Sequence, residues 1–283
     1  MIPVFYNPKS VSTTNSFSPS GHKPDLVAHR WKGVESYGVK FLPHQGLHPK
    51  EISRAHDPKY VEAICTGKTN NGFGSRDLDV AKSCLYTCGG MLAAAQHVLD
   101  LEGEDLFACA PYSGFHHAGY DFGGGFCTFN GLMTTAVTLL ETYQVDKLLI
   151  LDCDYHYGNG TQDIMDRCPS DFTGFITHWT AGENYQNKYE ADDFLAELKE
   201  VLEANKNTGL ILYQAGADPH VRDPLGGFLT SKQMRARDRL VFDKAREYGI
   251  PVVWNLAGGY QDPIEKVLKL HDQTLIEALA SLV

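Results

Sequence analysis

Residues 147–160 read KLLILDCDYHYGNG, and this stretch decides the predicted fold. Leu148–Leu151 is a short, continuous apolar run, which is typical of a fully buried strand in a parallel sheet. Asp152, Asp154 and His156 follow at alternate positions, so in an extended backbone their side chains point to one side. Because two carboxylates and an imidazole at the carboxyl end of a parallel strand suit a divalent cation, we expect a metal site here.

Turn formation is the alternative role for these polar residues. Aspartates that follow strands commonly cap the next turn or helix, and Gly158-Asn159-Gly160 is typical of a turn. For one isolated aspartate, capping is the better interpretation. Three such groups buried together are costly unless a cation joins them, so the whole pattern favours a metal site.

The chain has 283 residues, of which 43% are hydrophobic and 21% charged, a composition typical of a globular protein. Its length suits one large α/β domain as well as two small ones. We find no uninterrupted apolar run of about 18 residues, as a membrane span requires. The N-terminus shows no basic region followed by an apolar stretch, so we expect no secretory signal.

The charge and the cysteine content narrow the class of protein further. A formal net charge of −10 argues against nucleic-acid binding, which needs a basic surface, and is compatible with a cationic substrate such as a lysine-rich tail or a polyamine. The seven cysteines are an odd number, and several lie in apolar stretches. This favours reduced thiols in a cytoplasmic protein.

Strand-like and helical patterns alternate along the chain. We predict strands near Val39–Leu42, Leu106–Cys109, Leu148–Leu151, Phe172–Thr177, Leu210–Tyr213 and Val252–Leu256. Helices are predicted to open at Asp57-Pro58 and Asp262-Pro263 and to cover Asp77–Leu101, Asn130–Tyr143, Ala191–Asn205 and Thr230–Tyr248. Asn7–Lys23, rich in Ser, Thr and Pro, is predicted to be an irregular loop. The alternation predicts an α/β fold, with a mostly parallel sheet and helices on both faces, formed by residues 1–283 as one domain.

A histidine pair lies beyond another predicted strand. His116 and His117 follow Leu106–Cys109 and are preceded by Gly114. A lone histidine is more often structural, but an adjacent pair can divide proton transfer, one ring staying neutral while the other stays charged.

Two further polar residues follow the last two predicted strands. Asp218 comes after Leu210–Tyr213, where it can cap a turn or supply a third metal ligand. Tyr260 comes after Val252–Leu256 and the pair Gly258-Gly259. Tyr260 can simply pack, or the glycines can let the backbone approach a ligand and direct the phenol into a site.

The combination of H-H, D-x-D-x-H, G-A-D and G-G-Y, in this order from about residue 40 to 265, resembles the histone deacetylase family of zinc amidohydrolases. The resemblance implies the arginase-like α/β fold of that family. It implies that Asp154, His156 and Asp218 bind one zinc ion and leave a position open for water and a substrate carbonyl.

The same resemblance implies the catalytic groups. His117 matches the general base that activates water, and either His117 or His116 would protonate the leaving amine. Tyr260 matches the tyrosine that donates a hydrogen bond to the carbonyl oxygen. Asp152 would orient His116 and raise its basicity. Asn159 stands beside His117, where its neutral amide would leave that histidine less readily protonated.

The resemblance also implies substrate and ion contacts. Gly125 and Phe126 match the wall of the tunnel that holds the linear acyl-lysine stem. A structural potassium ion would lie near the D-x-D-x-H segment, with Thr177 as a loose candidate for its hydroxyl ligand. Gly123–Cys127 is similar to the smaller class IV-like members, some of which prefer long acyl chains.

Three segments depart from the family pattern. Pro111–Phe115 replaces the usual Arg-Pro-Pro-Gly, Tyr157 replaces the second histidine of D-x-D-x-H-H-G, and Phe175–Trp179 lacks the usual Ser-Leu-His. These differences concern the potassium site and the pocket rim rather than the zinc chemistry.

The leading prediction is therefore zinc-dependent hydrolysis of an N-acyl amide by metal-activated water, on acyl-lysine in a protein, an acylpolyamine or a related small amide. We expect a monomer, because the chain has little room for the large insertions through which some relatives dimerise. Two alternatives stay open: an arginase-like binuclear manganese hydrolase, which needs more ligands, and a non-catalytic acyl-lysine binding protein, which would have lost an essential residue.

Overall fold

Seven parallel strands form the centre of the computed structural model, which describes residues 1–13, 16–33, 38–100, 105–142 and 144–283. The strands β1 to β7 span Ile2–Phe5, Val39–Leu42, Phe107–Ala110, Leu148–Asp152, Ile176–Thr180, Ile211–Gln214 and Val252–Asn255. In the described ranges, helices α1 to α9 span Lys23–Lys32, Pro49–Ile52, Pro58–Cys65, Leu78–Val98, Gly131–Glu141, Asn159–Arg167, Ala191–Ala204, Ser231–Tyr248 and Glu265–Ser281.

The strand order in the sheet is β2-β1-β3-β7-β6-β4-β5. All residues of β3, β4, β6 and β7 are buried, as expected of parallel strands covered on both faces. One hydrophobic core contains side chains of α7, α8 and α9, and a second contains those of α3, α4 and α5. Helices therefore cover both faces of a parallel sheet, which confirms the predicted fold class.

Side-chain caps define where several helices begin. Asp77 accepts a hydrogen bond from the N–H of Asp79 at the start of α4, and Asn130 accepts one from Met133 at the start of α5. Thr230 and Gln233 form a capping box at the start of α8, the helix predicted over Thr230–Tyr248. In the described part of the chain, no helix combines the length and apolar character needed to cross a membrane.

The strand predictions were wrong in two places. The fifth strand is Ile176–Thr180 rather than Phe172–Thr177, because Thr173–Phe175 forms a short 3₁₀ turn whose Phe175 is exposed. The strand Ile2–Phe5 was not predicted: its proline at position 3 counts against a strand within a sheet, yet all four residues are buried between two neighbouring strands.

The helix predictions also need corrections. Gly158-Asn159-Gly160 is not only a turn, because α6 begins at Asn159, and Asn7–Lys23 contains the 3₁₀ turns Pro8–Ser10 and Pro19–Gly21 before α1. The last helix begins at Glu265, after the predicted Asp262-Pro263 start. The predicted ends at Leu101 and Tyr143, and two residues of the predicted loop, Thr14 and Asn15, lie outside the described residues.

Candidate metal centre and active site

The candidate site residues lie at or just beyond the carboxyl ends of four neighbouring strands. The strands β3, β7, β6 and β4 are adjacent in the sheet, and their last residues are in register: Ala110 with Asn255, Asn255 with Gln214, and Gln214 with Asp152. The segments that follow them therefore leave the sheet at one level and one edge. The carboxyl edge of a parallel sheet is where ligands commonly bind.

Asp154, His156 and Asp218 each place one ligand atom within 4.8 Å of the others. His156 Nδ1 lies 3.3 Å from Asp154 Oδ1 and 3.0 Å from Asp218 Oδ2. Among the described residues, this is the one such group of three or more His, Cys, Asp or Glu side chains. Two oxygen donors and one imidazole nitrogen suit a zinc ion that keeps an open coordination position.

The strand ladder ends at Asp152, and the next residues bend rather than continuing as extended backbone. The N–H of Asp154 donates to Asp152 Oδ1, at 3.1 Å, and the N–H of His156 donates to Asp154 Oδ1, at 3.0 Å. Asp152 therefore holds the turn through Oδ1 while its Oδ2 contacts His116. Asp154 uses Oδ1 both for the turn and beside His156 Nδ1, so the capping role and the cluster role coexist in this residue.

The electrostatics of this cluster favour a bound cation. Asp154 and Asp218 are buried, and burial together with the charge of Asp154 raises the pKa of Asp218. Hydrogen bonds to both carboxylates raise the pKa of His156 to about 10. A divalent cation would offset the two buried negative charges, so the donor set fits such an ion.

Two glycines allow the segments around the cluster to approach each other. A Cβ at Gly216 would lie 2.6 Å from the Cα of Asp154, and one at Gly258 would lie 2.4 Å from the Cγ of Asp218. Gly258 also has a positive φ of 51°, which disfavours other residues. The G-A-D and G-G-Y glycines are therefore required by the contacts of the metal-ligand segments.

The two adjacent histidines have different partners. His116 Nδ1 lies 2.8 Å from Asp152 Oδ2, and both side chains are buried. Gln214 Nε2 also donates to Asp152, at 3.3 Å. His117 Nδ1 lies 2.6 Å from the amide oxygen of Asn159, so the ring donates through Nδ1 and keeps its lone pair on Nε2.

These partners push the two pKa values apart. Burial by itself lowers the pKa of His116, but the charges of Asp152 and Asp154 outweigh it and raise that pKa to about 9. Burial and the neighbouring charge of His116 lower the pKa of His117 to about 4. At neutral pH the pair therefore contains one charged and one neutral imidazole, whose ring centroids are 4.0 Å apart.

Tyr260 is held through its main chain. Its N–H donates to Asp223 Oδ2, at 2.7 Å, and the buried Lys23 donates to the carbonyl oxygen of Gly258, at 2.5 Å. Burial and the charge of Asp218 raise the pKa of the Tyr260 phenol, so it stays protonated and able to donate.

Two aromatic side chains lie beside Tyr260. The rings of Phe126 and Phe17 each lie 6.0 Å from that of Tyr260, and the Phe17 ring is nearly parallel to it. A Cβ at Gly125 would lie 2.4 Å from His117 Cδ2, so this glycine lets the backbone lie against the histidine ring. One cavity is lined by His116, His117, Gly125, Asp154, His156, Gly258 and Tyr260.

Thr177 does not lie near the D-x-D-x-H segment. It is in register with Leu149 and is exposed, whereas Thr180 is in register with Asp152. The Thr180 hydroxyl accepts a hydrogen bond from the N–H of Gly158, at 3.1 Å. The side chain of Thr177 is therefore excluded as a ligand for an ion beside Asp152.

Several residues at the site were not identified from the sequence: Phe17, Lys23, Thr180, Gln214 and Asp223. Lys23 and Phe17 belong to the segment that was treated as an irregular loop. Asp223 follows Asp218 by five residues in a polar, proline-containing loop, which gives no periodic signal. Their roles depend on contacts between distant segments.

A sequence profile described as the histone deacetylase domain matches residues 25–185, more than half of the chain. The chain belongs to the histone deacetylase family. An uncharacterised protein of Picosynechococcus sp. is 30% identical, over 95% of both chains, and histone deacetylase 2 of Arabidopsis thaliana is 31% identical, over 64% of this chain and 50% of that protein.

One further relative in sequence and one solved structure are also similar to this chain. An acetylpolyamine amidohydrolase of Mycoplana ramosa is 42% identical over 23% of this chain and 21% of that protein. The crystal structure of the HDA15 HD domain has a TM-score of 0.76 at 18% identity and covers 99% of this chain and 90% of that one. The deacetylase-like fold is therefore shown. The chain is a member of a metal-dependent hydrolase family and carries a candidate metal site.

Proposed function

We propose that this histone deacetylase family member is a zinc-dependent amidohydrolase that removes an acyl group from a primary amine on a long stem. The observation that carries this proposal is that Asp154 and His156, which cluster with Asp218, line the same cavity as His116, His117 and Tyr260. A non-catalytic binding protein has no need for this set.

In the proposed reaction, Asp154, His156 and Asp218 would hold the zinc ion. A bound zinc ion supplies Lewis-acid chemistry, polarising a carbonyl group and lowering the pKa of water. The part of the chain that the structure describes holds one such cluster of three ligands, which favours one ion over the two of the binuclear manganese alternative.

His117 would act as the general base. It is neutral at pH 7, and Asn159 holds its Nδ1–H, which leaves Nε2 free to accept the proton of the attacking water molecule. The oxygen of that water forms a bond to the carbonyl carbon of the amide. The neutral Asn159 supports this role because an aspartate there would favour the protonated ring.

His116 and Tyr260 would complete the reaction. His116 is the charged member of the pair and can give its proton to the amine nitrogen as the C–N bond breaks. The products are a free amine and a carboxylic acid, which ionises to a carboxylate by releasing its proton to solvent. The Tyr260 hydroxyl would donate to the carbonyl oxygen while negative charge develops on it. Asp152 keeps Nδ1 of His116 protonated and directs Nε2 towards the cluster.

We propose acyl-lysine or an acylpolyamine as the substrate class, with Gly125 and Phe126 forming the wall against the stem. Three observations support this substrate class. The Phe126 ring lies beside Tyr260, the chain has a net negative charge, and an acetylpolyamine amidohydrolase is among the similar proteins.

The remaining predictions are part of the same proposal. We propose that residues 1–283 act as one catalytic domain and as a monomer. Seven free cysteines support a reducing location such as the cytoplasm. A structural potassium ion stays a prediction, without Thr177 among its ligands.

The test is amine release from a panel of acyl-lysine peptides and acylpolyamines, from acetyl to myristoyl. Enzyme stripped with a chelator and dialysed is compared with the same enzyme reconstituted with zinc. Turnover that disappears on stripping and returns with zinc is the expected result. Absence of turnover on every member, with zinc bound, would contradict the proposed activity.

A further inference from the structure

Arg237 is a completely buried arginine in α8, and the proposed reaction does not use it. Its Nη1 donates to the carbonyl oxygen of Cys153, at 3.2 Å, and to that of Gly216, at 2.7 Å. Its Nε donates to Asp238 Oδ1, at 2.8 Å. The guanidinium thus joins one carboxylate on its own helix to two main-chain carbonyls behind the candidate metal centre.

The two carbonyls belong to the two segments that carry the proposed metal ligands. Cys153 directly precedes Asp154, and Gly216 lies two residues before Asp218. The segments follow different strands, β4 and β6, and Arg237 is a side-chain bridge between them. Two other hydrogen bonds cross the same gap: the N–H of Cys153 donates to the carbonyl oxygen of Gln214, at 3.1 Å, and the N–H of Tyr155 donates to Asp218 Oδ1, at 3.3 Å.

Burying a guanidinium is costly unless its donors are satisfied and its charge is paired. Asp238 supplies the opposite charge and is itself fixed: the Tyr213 hydroxyl donates to its Oδ1, at 2.5 Å, and the Thr274 hydroxyl to its Oδ2, at 2.7 Å. The charge of Arg237 is therefore paired, and its Nε and Nη1 have partners, while Nη2 is buried without a hydrogen bond. A lysine has one nitrogen at its tip and cannot make the same divergent contacts.

We propose that Arg237 is a positioning residue that sets the affinity of the metal centre by fixing the distance between the Asp154 and Asp218 segments. The inference rests on the proposed metal site. Partners that orient metal ligands from outside typically change metal affinity by about 10- to 100-fold when they are removed. Arg237 acts on the main chain of the ligand segments rather than on a ligand side chain.

The experiment measures zinc affinity directly, without turnover. Metal-free wild type, Arg237→Met and Arg237→Lys are titrated with zinc in competition with a chromophoric chelator. Arg239→Met is the matched control, because Arg239 lies on the same helix, is about half exposed and pairs with Glu277 of α9 rather than with the ligand segments. Circular dichroism and thermal unfolding establish that each variant is folded at the temperature of the titration.

We expect the dissociation constant for zinc to rise by about 10- to 100-fold in Arg237→Met and by less in Arg237→Lys, which keeps the charge. Arg239→Met is expected to bind zinc like the wild type. A purely structural role predicts a lower melting temperature with unchanged zinc affinity, and that result would overturn the proposal.

Variants that do not fold, or a wild type that binds no zinc, also give a decision on the role of Arg237. If Arg237→Met does not fold, the titration of Arg237→Lys decides alone, with weaker binding supporting the proposal. If neither variant folds, Arg237 is a structural residue and the proposal is overturned. A wild type that binds no zinc refutes the metal site itself, which distinguishes failure of the proposed function from failure of the role of Arg237.

Discussion

The Tyr260 hydroxyl can be tested separately from the position of its residue, because Asp223 holds the tyrosine through the main-chain N–H. We predict that Tyr260→Phe lowers kcat by about 10²- to 10³-fold, as expected for loss of one hydrogen-bond donor to a developing oxyanion. Zinc affinity and the melting temperature should stay close to those of the wild type. Steady-state kinetics on the preferred substrate measure the effect.

The matched control is Tyr189→Phe, which removes a phenolic hydroxyl from an exposed ring. It should leave turnover unchanged. If Tyr260→Phe turns over substrate at nearly the wild-type rate, the hydroxyl does not stabilise the transition state and the assigned role is wrong.

At the scale of single residues, the sequence is most informative where strand ends coincide with polar motifs. The proposed ligands Asp154, His156 and Asp218 follow buried strands that are predictable from apolar runs, and the structure brings them together. Lys23 and Arg237 were not predicted, because a charged residue at the start of a helix or within one is usually solvated. Only the tertiary structure shows that both are completely buried.

His56 connects secondary-structure elements near the histidine pair. It lies between α2 and α3, its Nδ1 donates to the carbonyl of Gly119, and its Nε2 accepts the N–H of Asn130, both at 2.8 Å. Asn130 in turn caps α5, and Gly119 lies two residues beyond His117. Protonation of Nε2 would remove one of these hydrogen bonds.

Burial lowers the pKa of His56 from 6.5 to about 4. Between these two values the unfolded chain binds a proton that the folded protein does not, so the stability is complete above pH 6.5 and is lost as the pH falls. The difference corresponds to about 3 kcal/mol. We predict that the free energy of unfolding of His56→Gln falls less steeply than that of the wild type from pH 7 to pH 4.

Urea unfolding at a series of pH values measures this prediction. His29→Gln is the control, because His29 is exposed in the folded protein, and its curve should run parallel to that of the wild type. A His56→Gln curve that is also parallel to the wild type would show that His56 is not held neutral by the fold.

At the scale of elements, apolar runs predicted six strands of the sheet but not all of their limits. The fifth strand was displaced because Phe172 and Phe175 resemble strand residues in sequence, whereas Thr173–Phe175 forms a turn. Helix starts were predictable where a side-chain cap exists, as at Asp77 and Thr230. The start of α6 at Asn159 has no side-chain cap at Gly158, so the local sequence shows only a turn.

At the scale of the whole molecule, the candidate site depends on segments that are far apart in the chain. His116, Asp154, Asp218 and Tyr260 follow four different strands and meet at one edge of the sheet. The unfolded chain does not hold these groups together, so a metal ion that binds them binds mainly the folded state. Metal binding should therefore stabilise the entire fold as well as the site.

We predict that free zinc at 100 times its dissociation constant raises the free energy of unfolding by about 2.7 kcal/mol, which corresponds to a rise of several degrees in melting temperature. The physical reason is that zinc offsets the charges of the buried Asp154 and Asp218. Thermal unfolding of chelator-stripped and zinc-loaded protein measures the shift, and elemental analysis should find close to one zinc per chain.

Asp218→Asn should lose the zinc-dependent shift, whereas Asp79→Asn, at an exposed position, should keep it. Two bound manganese ions per chain would favour the arginase-like alternative, and an unchanged melting temperature in excess zinc would show that the cluster does not bind zinc.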